Sequence, residues 1–236
     1  MTDKDLLEIR NKIFLQQGVP ALNSVGFYKS PYKTDWFGRN NLNDFTYSFC
    51  RLKNSLLERI DTHISLGDRW IKIYLNVFEL YPHISNIDEL VDHDSIKYVT
   101  PPSSLGKMRL NKDNYKGLPL FNLASDRHKL PRSISMKGNK KSIAKLERNI
   151  IEDLSNIEVF IKQWHQVNKP FKVDWNGRLY GIDNMSIEQR LEETGLKERF
   201  YKLLAKDISE AKKILRWLEV DEESINEKIE TTANNI

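Results

Sequence analysis

The sequence predicts an α+β protein: an antiparallel, three- to five-stranded meander packed by an N-terminal helix and a long central helix, with a C-terminal hairpin and helices after it. Three observations carry that prediction. Residues Arg59 to Val77, RIDTHISLGDRWIKIYLNV, alternate apolar and charged side chains on both sides of Gly67-Asp68, which is the period of a half-buried strand. Residues Ile143 to Trp164 instead repeat apolar side chains every three or four positions, the period of a helix lying on a core. The segment FKVDWNGRLYGI centres on Asn176-Gly177, the strongest two-residue hairpin signal.

The elements follow in chain order. Thr2 and Asp5 are placed to cap a first helix whose apolar stripe is Leu6, Ile9 and Ile13, and Gly18 with Pro20 is expected to end it. After a short turn, ALNSVG, a strand is expected at Phe27 to Lys29, and SPYKTDWFGRNNLN reads as a loop. With Gly67-Asp68 as a hairpin loop, Ile64 faces Ile71, Thr62 faces Ile73 and Ile60 faces Leu75. With Asn54-Ser55 as the preceding loop, Phe45 faces Ile64, Tyr47 faces Thr62 and Phe49 faces Ile60. Both turns put the apolar residues on one face, and a one-residue slip in either would destroy that agreement. The other face carries Cys50, Arg59, Asp61, His63, Lys72, Tyr74 and Asn76, so it is expected to be solvated or covered by something polar.

Further on, a helical turn is expected near Ile87 to Val91, a short strand at Ile96 to Val99, and loop with edge strand over NYKGLPLFNLASDRHKLPRS. The central helix, capped by Ser142 or Asn139, buries Ile143, Leu146, Ile150, Leu154, Ile157, Ile161 and Trp164 against the meander. In the Asn176-Gly177 hairpin Val173 would face Tyr180, Phe171 would face Ile182, and Trp175 would stack on Arg178. Ser186 with Gln189 forms a capping box, and helical stripes run on to Leu218. The chain divides on this reading into an α+β domain (1–169), a hairpin-plus-helical extension (170–220) and a polar acidic tail (221–236).

Composition bounds the function. At 39% hydrophobic and 30% charged residues, the chain has the makings of a folded globular protein. The one cysteine, Cys50, excludes an internal disulfide framework and thiolate-rich zinc sites, and fits a reducing cytoplasm. No apolar run approaches the ~18 residues of a membrane span, and MTDKDLLEIRNK is charged where a signal peptide would be apolar, so a cytoplasmic protein without membrane contact is expected. The net charge of +4 permits an anionic partner without demanding one.

Motifs for catalysis are fragmentary. A helix, three antiparallel strands and a helix is the order of nuclease cores that hold Mg2+ with an Asp on the second strand and an acid-x-Lys on the third. Asp61 and Lys72 fit, but Trp70 stands where the acid belongs, so both read better as solvent-facing ribbon charges. His83, His93 and Asp94 have types that bind metals, yet they fall in a loop without ligand spacing. No nucleophile elbow, phosphate-binding glycine loop or cofactor motif is present, and no cofactor is indicated.

Two stretches look like binding surfaces. The first interleaves Tyr28, Tyr32, Trp36 and Phe37 with Lys29, Lys33 and Arg39, a pattern suited to stacking on bases and pairing with phosphates, or to anchoring a long loop. The second runs through Arg127, Lys129, Arg132, Lys137, Lys140 and Lys141 into the long helix. The segments LNSVGFYKS, DFTYSFCRLK and RWIKIYLNVFELYP, in that order, resemble the bacterial domain-of-unknown-function family 4304 over roughly residues 1 to 165. That resemblance implies a bacterial cytosolic protein and no particular activity. The expected function is therefore a non-enzymatic binding module, immunity-like or regulatory, with a protein partner; the alternative is a nucleic-acid binder with a degenerate nuclease-like core.

Overall fold

The meander forms in the register that its side-chain period dictates. A computed structural model describes residues 2–94, 96, 121–122, 126–131, 136–167 and 169–233. In it β3 (Phe45–Lys53) and β4 (Leu56–Ile64) pair antiparallel with Phe45 opposite Ile64, Tyr47 opposite Thr62 and Phe49 opposite Ile60. β5 (Lys72–Leu80) continues the meander with Leu75 opposite Ile60 and Ile73 opposite Thr62. Asn54 and Ser55 both take positive φ, 52° and 62°, the conformation of the tight hairpin turn that joins β3 to β4.

The second turn differs from expectation although its register holds. Asp68 N–H closes onto the Ser65 carbonyl, so Gly67 (φ 79°) is the third residue of the turn rather than the first central one. The strands are held apart there by Arg10, whose buried guanidinium donates to the carbonyls of Trp70 (2.9 Å) and Ser65 (3.1 Å).

Short pieces extend the sheet on both sides. β1 (Tyr28–Lys29) and β2 (Phe37–Arg39) both pair with β3, so they are two halves of one broken edge strand. At the opposite edge, β6 (Phe121–Asn122) pairs antiparallel and β7 (Phe171–Val173) parallel with β5, and Trp70 bridges Lys129. The sheet thus has seven strands among the described residues. The expected strand at Ile96 to Val99 lies outside the described residues except for Ile96, which is buried.

Helices cover the apolar face. The Thr2–Asp5 capping box opens α1 (Asp3–Ile13). Gly18 and Pro20 do not end the helical run. A π-turn (Phe14–Gly18) carries it into α2 (Val19–Ser24), with Val19 N–H reaching back to the Phe14 carbonyl. The wider turn tolerates a proline, which has no N–H to offer, at the start of α2. Gly18 is closely packed: a Cβ there would stand 2.6 Å from the Phe14 ring and 3.3 Å from Ile150.

The long helix starts earlier than expected and is broken in the middle. α3 spans Met136–Ser155 and α4 spans Ile157–Val167. Asn156 donates its side-chain amide to the Glu152 carbonyl (2.8 Å), competing with the helix at the break. The apolar stripe survives it: Leu146, Ile150, Leu154, Ile157, Ile161 and Trp164 are all buried. Each such side chain contributes about 1.5–3 kcal/mol by leaving water.

After β7 come α5 (Ile187–Glu193, opened by the Ser186–Gln189 capping box), α6 (Lys197–Leu204), α7 (Ile208–Trp217) and α8 (Glu222–Ala233). Their apolar residues, from Leu191 and Phe200 to Ile225 and Ile229, belong to the same buried cluster as Phe49, Ile60 and Leu154. A helix therefore stands where a polar acidic tail was expected, anchored by Ile225 and Ile229.

The Asn176-Gly177 hairpin also departs from its expected register. Asp174 N–H bonds the Arg178 carbonyl, Gly177 N–H bonds Asp174, and Val173 bridges Leu179 rather than Tyr180. The loop has three residues because the Asp174 carboxylate accepts from the N–H groups of both Asn176 and Arg178, at 2.9 Å each. Trp175 consequently does not stack on Arg178. Its indole N–H donates to the Pro82 carbonyl (2.6 Å), and Arg178 pairs with Asp183 (2.7 Å) and Glu219 (2.8 Å).

Candidate functional site

Much of the polar face of the meander is shielded from solvent, while His63, Lys72 and Tyr74 stay half-buried. Ser48, Cys50, Arg59, Asp61 and Asn76 are all buried, which corrects the reading of Asp61 as a solvent-facing charge. What covers them begins at the break in the edge strand. Ser30 N–H donates to the Ser48 carbonyl (2.8 Å) and Ser48 N–H donates to the Trp36 carbonyl (3.2 Å). Residues 31–35 are thus looped out of the edge between two hydrogen bonds to one residue, and the loop folds over the polar face.

That loop delivers two side chains inward. Asp35 receives both terminal nitrogens of Arg59, at 2.9 and 2.8 Å, and the Ser30 hydroxyl. Asp61 receives Arg59 Nε (2.7 Å), Arg59 Nη2 (3.0 Å) and the Ser48 hydroxyl (2.5 Å). Burial alone would lower the affinity of the Arg59 guanidinium for its proton. The carboxylates outweigh it, with Asp61 ahead of Asp35, and hold its pKa well above the ordinary value. Beside it, burial pushes the Cys50 thiol up to about 12, so this sulfur is no nucleophile at neutral pH. Tyr32 is buried as well; its hydroxyl donates to the Trp175 carbonyl (3.0 Å), and burial raises its pKa.

Every oxygen of the Asp35 and Asp61 carboxylates accepts from Arg59 or a serine hydroxyl, so the cluster acts as a buried fastener for the loop. Lys72 pairs with Asp68 at the strand end rather than with Asp61, so the two fragments of the nuclease pattern are not brought together. Among the described residues no group of three or more His, Cys, Asp or Glu side chains stands together to hold a metal ion. His83 lies against Tyr81, and His93 packs edge-on to Trp175 with Nδ1 3.3 Å from Asn176 Oδ1; the Asp94 N–H donates to the same oxygen. His63 is held below its ordinary pKa, chiefly by burial.

The first binding stretch splits between inside and outside. Tyr32 is internal and offers a ligand no ring. Tyr28 (61% exposed), Trp36 (45%) and Phe37 (37%) stay at the surface, with Leu42 (80%) close behind in sequence. Strand register sets their directions. Tyr28, opposite Cys50, lies on the loop side of the sheet, as does Trp36. Phe37, opposite Tyr47, lies on the helix side, edge-on to Tyr47 and Phe49, with Lys29 Nζ 5.4 Å from its ring centre. Arg39 pairs with Glu8 and stacks over Phe45, and Lys33 is exposed 3.9 Å from Asp92.

The second stretch gathers at the other edge of the sheet. Arg127 is bound to Glu152 (2.7 Å) and Asp153 (2.9 Å), and the buried His128 ring meets Asp153 at 2.8 Å. Burial works to raise the Asp153 carboxyl, but the hydrogen bonds from His128 and Arg127 win and hold it below the ordinary carboxylate value. Lys129 lies over the Trp70 ring, 4.5 Å from its centre. Lys140 and Lys141 are exposed on α3. Lys137 belongs to α3 by its backbone, but its side chain, like all of Arg132, lies outside the described residues.

Sequence reasoning missed the Asp35–Arg59–Asp61 cluster and the Lys129–Trp70 contact. The signal for the first was present: Arg59 and Asp61 share a strand face with Cys50, an arrangement that a solvated surface does not call for. Fold and surfaces together define an α+β protein, a largely antiparallel sheet with helices on its apolar face. No protein-family model, no curated protein and no solved structure matches the chain. No described helix is long and apolar enough to cross a membrane.

Proposed function

We propose that this chain is a non-enzymatic binding module that docks a protein partner on the broken edge formed by β1, the 31–35 loop and β2. The observation that supports this reading is the exposure of Tyr28 and Trp36 on the loop side of one sheet edge, over the buried Asp35–Arg59–Asp61 cluster, with Phe37 exposed on the helix side of the same edge. Aromatic side chains held on a stiff support bind with little loss of freedom and supply most of the energy of protein interfaces. Lys29, Lys33 and Arg39 at the rim of that patch suit an acidic surround on the partner.

The test is a photo-crosslinking amino acid at position 36 or 28, in the cells that make the protein, with position 230 on α8 as control. A discrete protein adduct at 36 and 28 and not at 230 supports the reading. With that partner purified, Trp36→Ala weakens binding by about 2 kcal/mol, some thirtyfold. Nucleic acid at the same positions, or binding that falls steeply with salt as phosphate contacts require, refutes it and favours the nucleic-acid alternative.

A further inference from the structure

The opposite edge of the sheet carries a cavity of a different character. It holds about 390 Å3 and is lined by Arg127, Lys129, Pro131, Lys141, Ser142 and Lys145. Four cations and a hydroxyl face it, and among the described residues no carboxylate lines it. Two other hollows among the described residues do not select a sign of charge. The one against the π-turn mixes Glu147 and Glu152 with Arg148, and that beside Pro170 has room for about 30 Å3.

The fold builds this wall of cations from two directions. Lys141 and Lys145 are one turn apart on α3, so they project from the same side of the helix. The 126–131 segment faces them, tied to the sheet by two backbone bonds: Ile71 N–H to the His128 carbonyl (3.0 Å) and Leu130 N–H to the Arg69 carbonyl (2.8 Å). It is tied to α3 by Asn149, whose amide donates to the Arg127 carbonyl (2.8 Å). Trp70 props Lys129 over the cavity.

Charge is not balanced inside. Glu152 and Asp153 both lie about two turns beyond Lys145 on α3 and are engaged by Arg127. Lys129, Lys141 and Lys145 have no carboxylate partner among the described residues. Three ammonium groups around one hollow repel each other, and a multivalent anion in their midst relieves that repulsion. A singly charged carboxylate would leave most of it in place.

We infer that this cavity is a binding site for a phosphate-bearing small molecule of pyrophosphate or nucleoside-polyphosphate type. The three lysines would meet its non-bridging oxygens and the Ser142 hydroxyl would donate to another. The inference does not rest on the docking edge, which lies across the meander, about 19 Å away at the usual strand spacing.

The full-length protein is titrated calorimetrically with inorganic pyrophosphate, with ATP, and with a single-stranded oligonucleotide, each at two salt concentrations. Pyrophosphate or ATP should bind with one-site stoichiometry, more weakly at the higher salt. Lys141→Ala and Lys145→Ala should each weaken that binding about tenfold, since a charge-assisted hydrogen bond is lost. Both side chains are exposed, so the variants should melt with the wild type, and Lys212→Ala on α7 serves as a charge control that leaves binding unchanged. Failure of pyrophosphate and ATP to bind, or equal losses with Lys212→Ala, overturns the proposal. Binding of the oligonucleotide alone also overturns it, in favour of a track for a polyanionic strand. None of these results bears on crosslinking at position 36.

Discussion

Replacing Arg59 by Met tests the central fastener. The side chains of Arg59, Asp35 and Asp61 are 4%, 6% and 2% exposed, so all three charges are out of water. Met keeps much of the volume and removes the cation. Two carboxylates then face one hollow with only the Ser30 and Ser48 hydroxyls to donate to them. Breaking a buried ion pair by removing one partner costs about 3–5 kcal/mol, because the remaining charge is uncompensated. At a urea dependence of about 3 kcal/mol per molar, the midpoint of equilibrium unfolding drops by roughly 1–1.7 M. Removing the negative charges too, as Asp35→Asn and Asp61→Asn in the same chain, should return more than half of the loss. An Arg59→Met variant within about 1 kcal/mol of wild type would refute the reasoning, as would a triple variant no better than the single one.

Three other outcomes are expected. Cys50, with its thiol pushed to about 12, should react with a thiol reagent at mildly alkaline pH more than about a thousandfold slower in the native protein than in urea; equal rates would show that the polar face is open. Gly18→Ala should destabilise the protein by about 1–3 kcal/mol through the crowding of Phe14 and Ile150, read by thermal unfolding; a neutral result would mean that α3 does not press on the π-turn. Asp153→Asn should cost about 1–3 kcal/mol at neutral pH. Its folded-state pKa is depressed, so the stability it adds is present above the unfolded value near 3.9 and is lost as pH falls through the folded one. The gap between variant and wild type should therefore close in acid, and a gap that persists there would contradict the pairing with His128 and Arg127.

What could be read from the residues was whatever repeats at short range. Phe45, Tyr47, Phe49, Ile60, Ile64, Ile73 and Leu75 fix the meander because a one-residue slip would expose all of them together. Leu146 to Trp164 fix the helical layer in the same way, and the break at Asn156 leaves that stripe intact. The misreadings sit where a distant side chain decides. Arg10, from the first helix, opens the turn after Ile64. Asp174 lengthens the Asn176-Gly177 loop. A π-turn lets Pro20 follow Gly18 without ending the helix. The candidate surfaces were legible as composition only. Nothing local says that Tyr32 turns in while Trp36 stays out, since that depends on Asp35 finding Arg59 across the sheet.

The interrupted borders of the sheet bear on edge-to-edge pairing between copies of the chain. A long bare rim of amide and carbonyl groups invites a second chain to zip on, the route to fibrils and aggregates. Here one rim is shared by two pieces of two and three residues, separated by the 31–35 loop and studded with Lys29 and Arg39. The other is covered by Lys129, β6 and β7 in succession. Among the described residues a visiting strand would find no uninterrupted row of backbone partners on either side, which leaves recognition at this sheet to side chains.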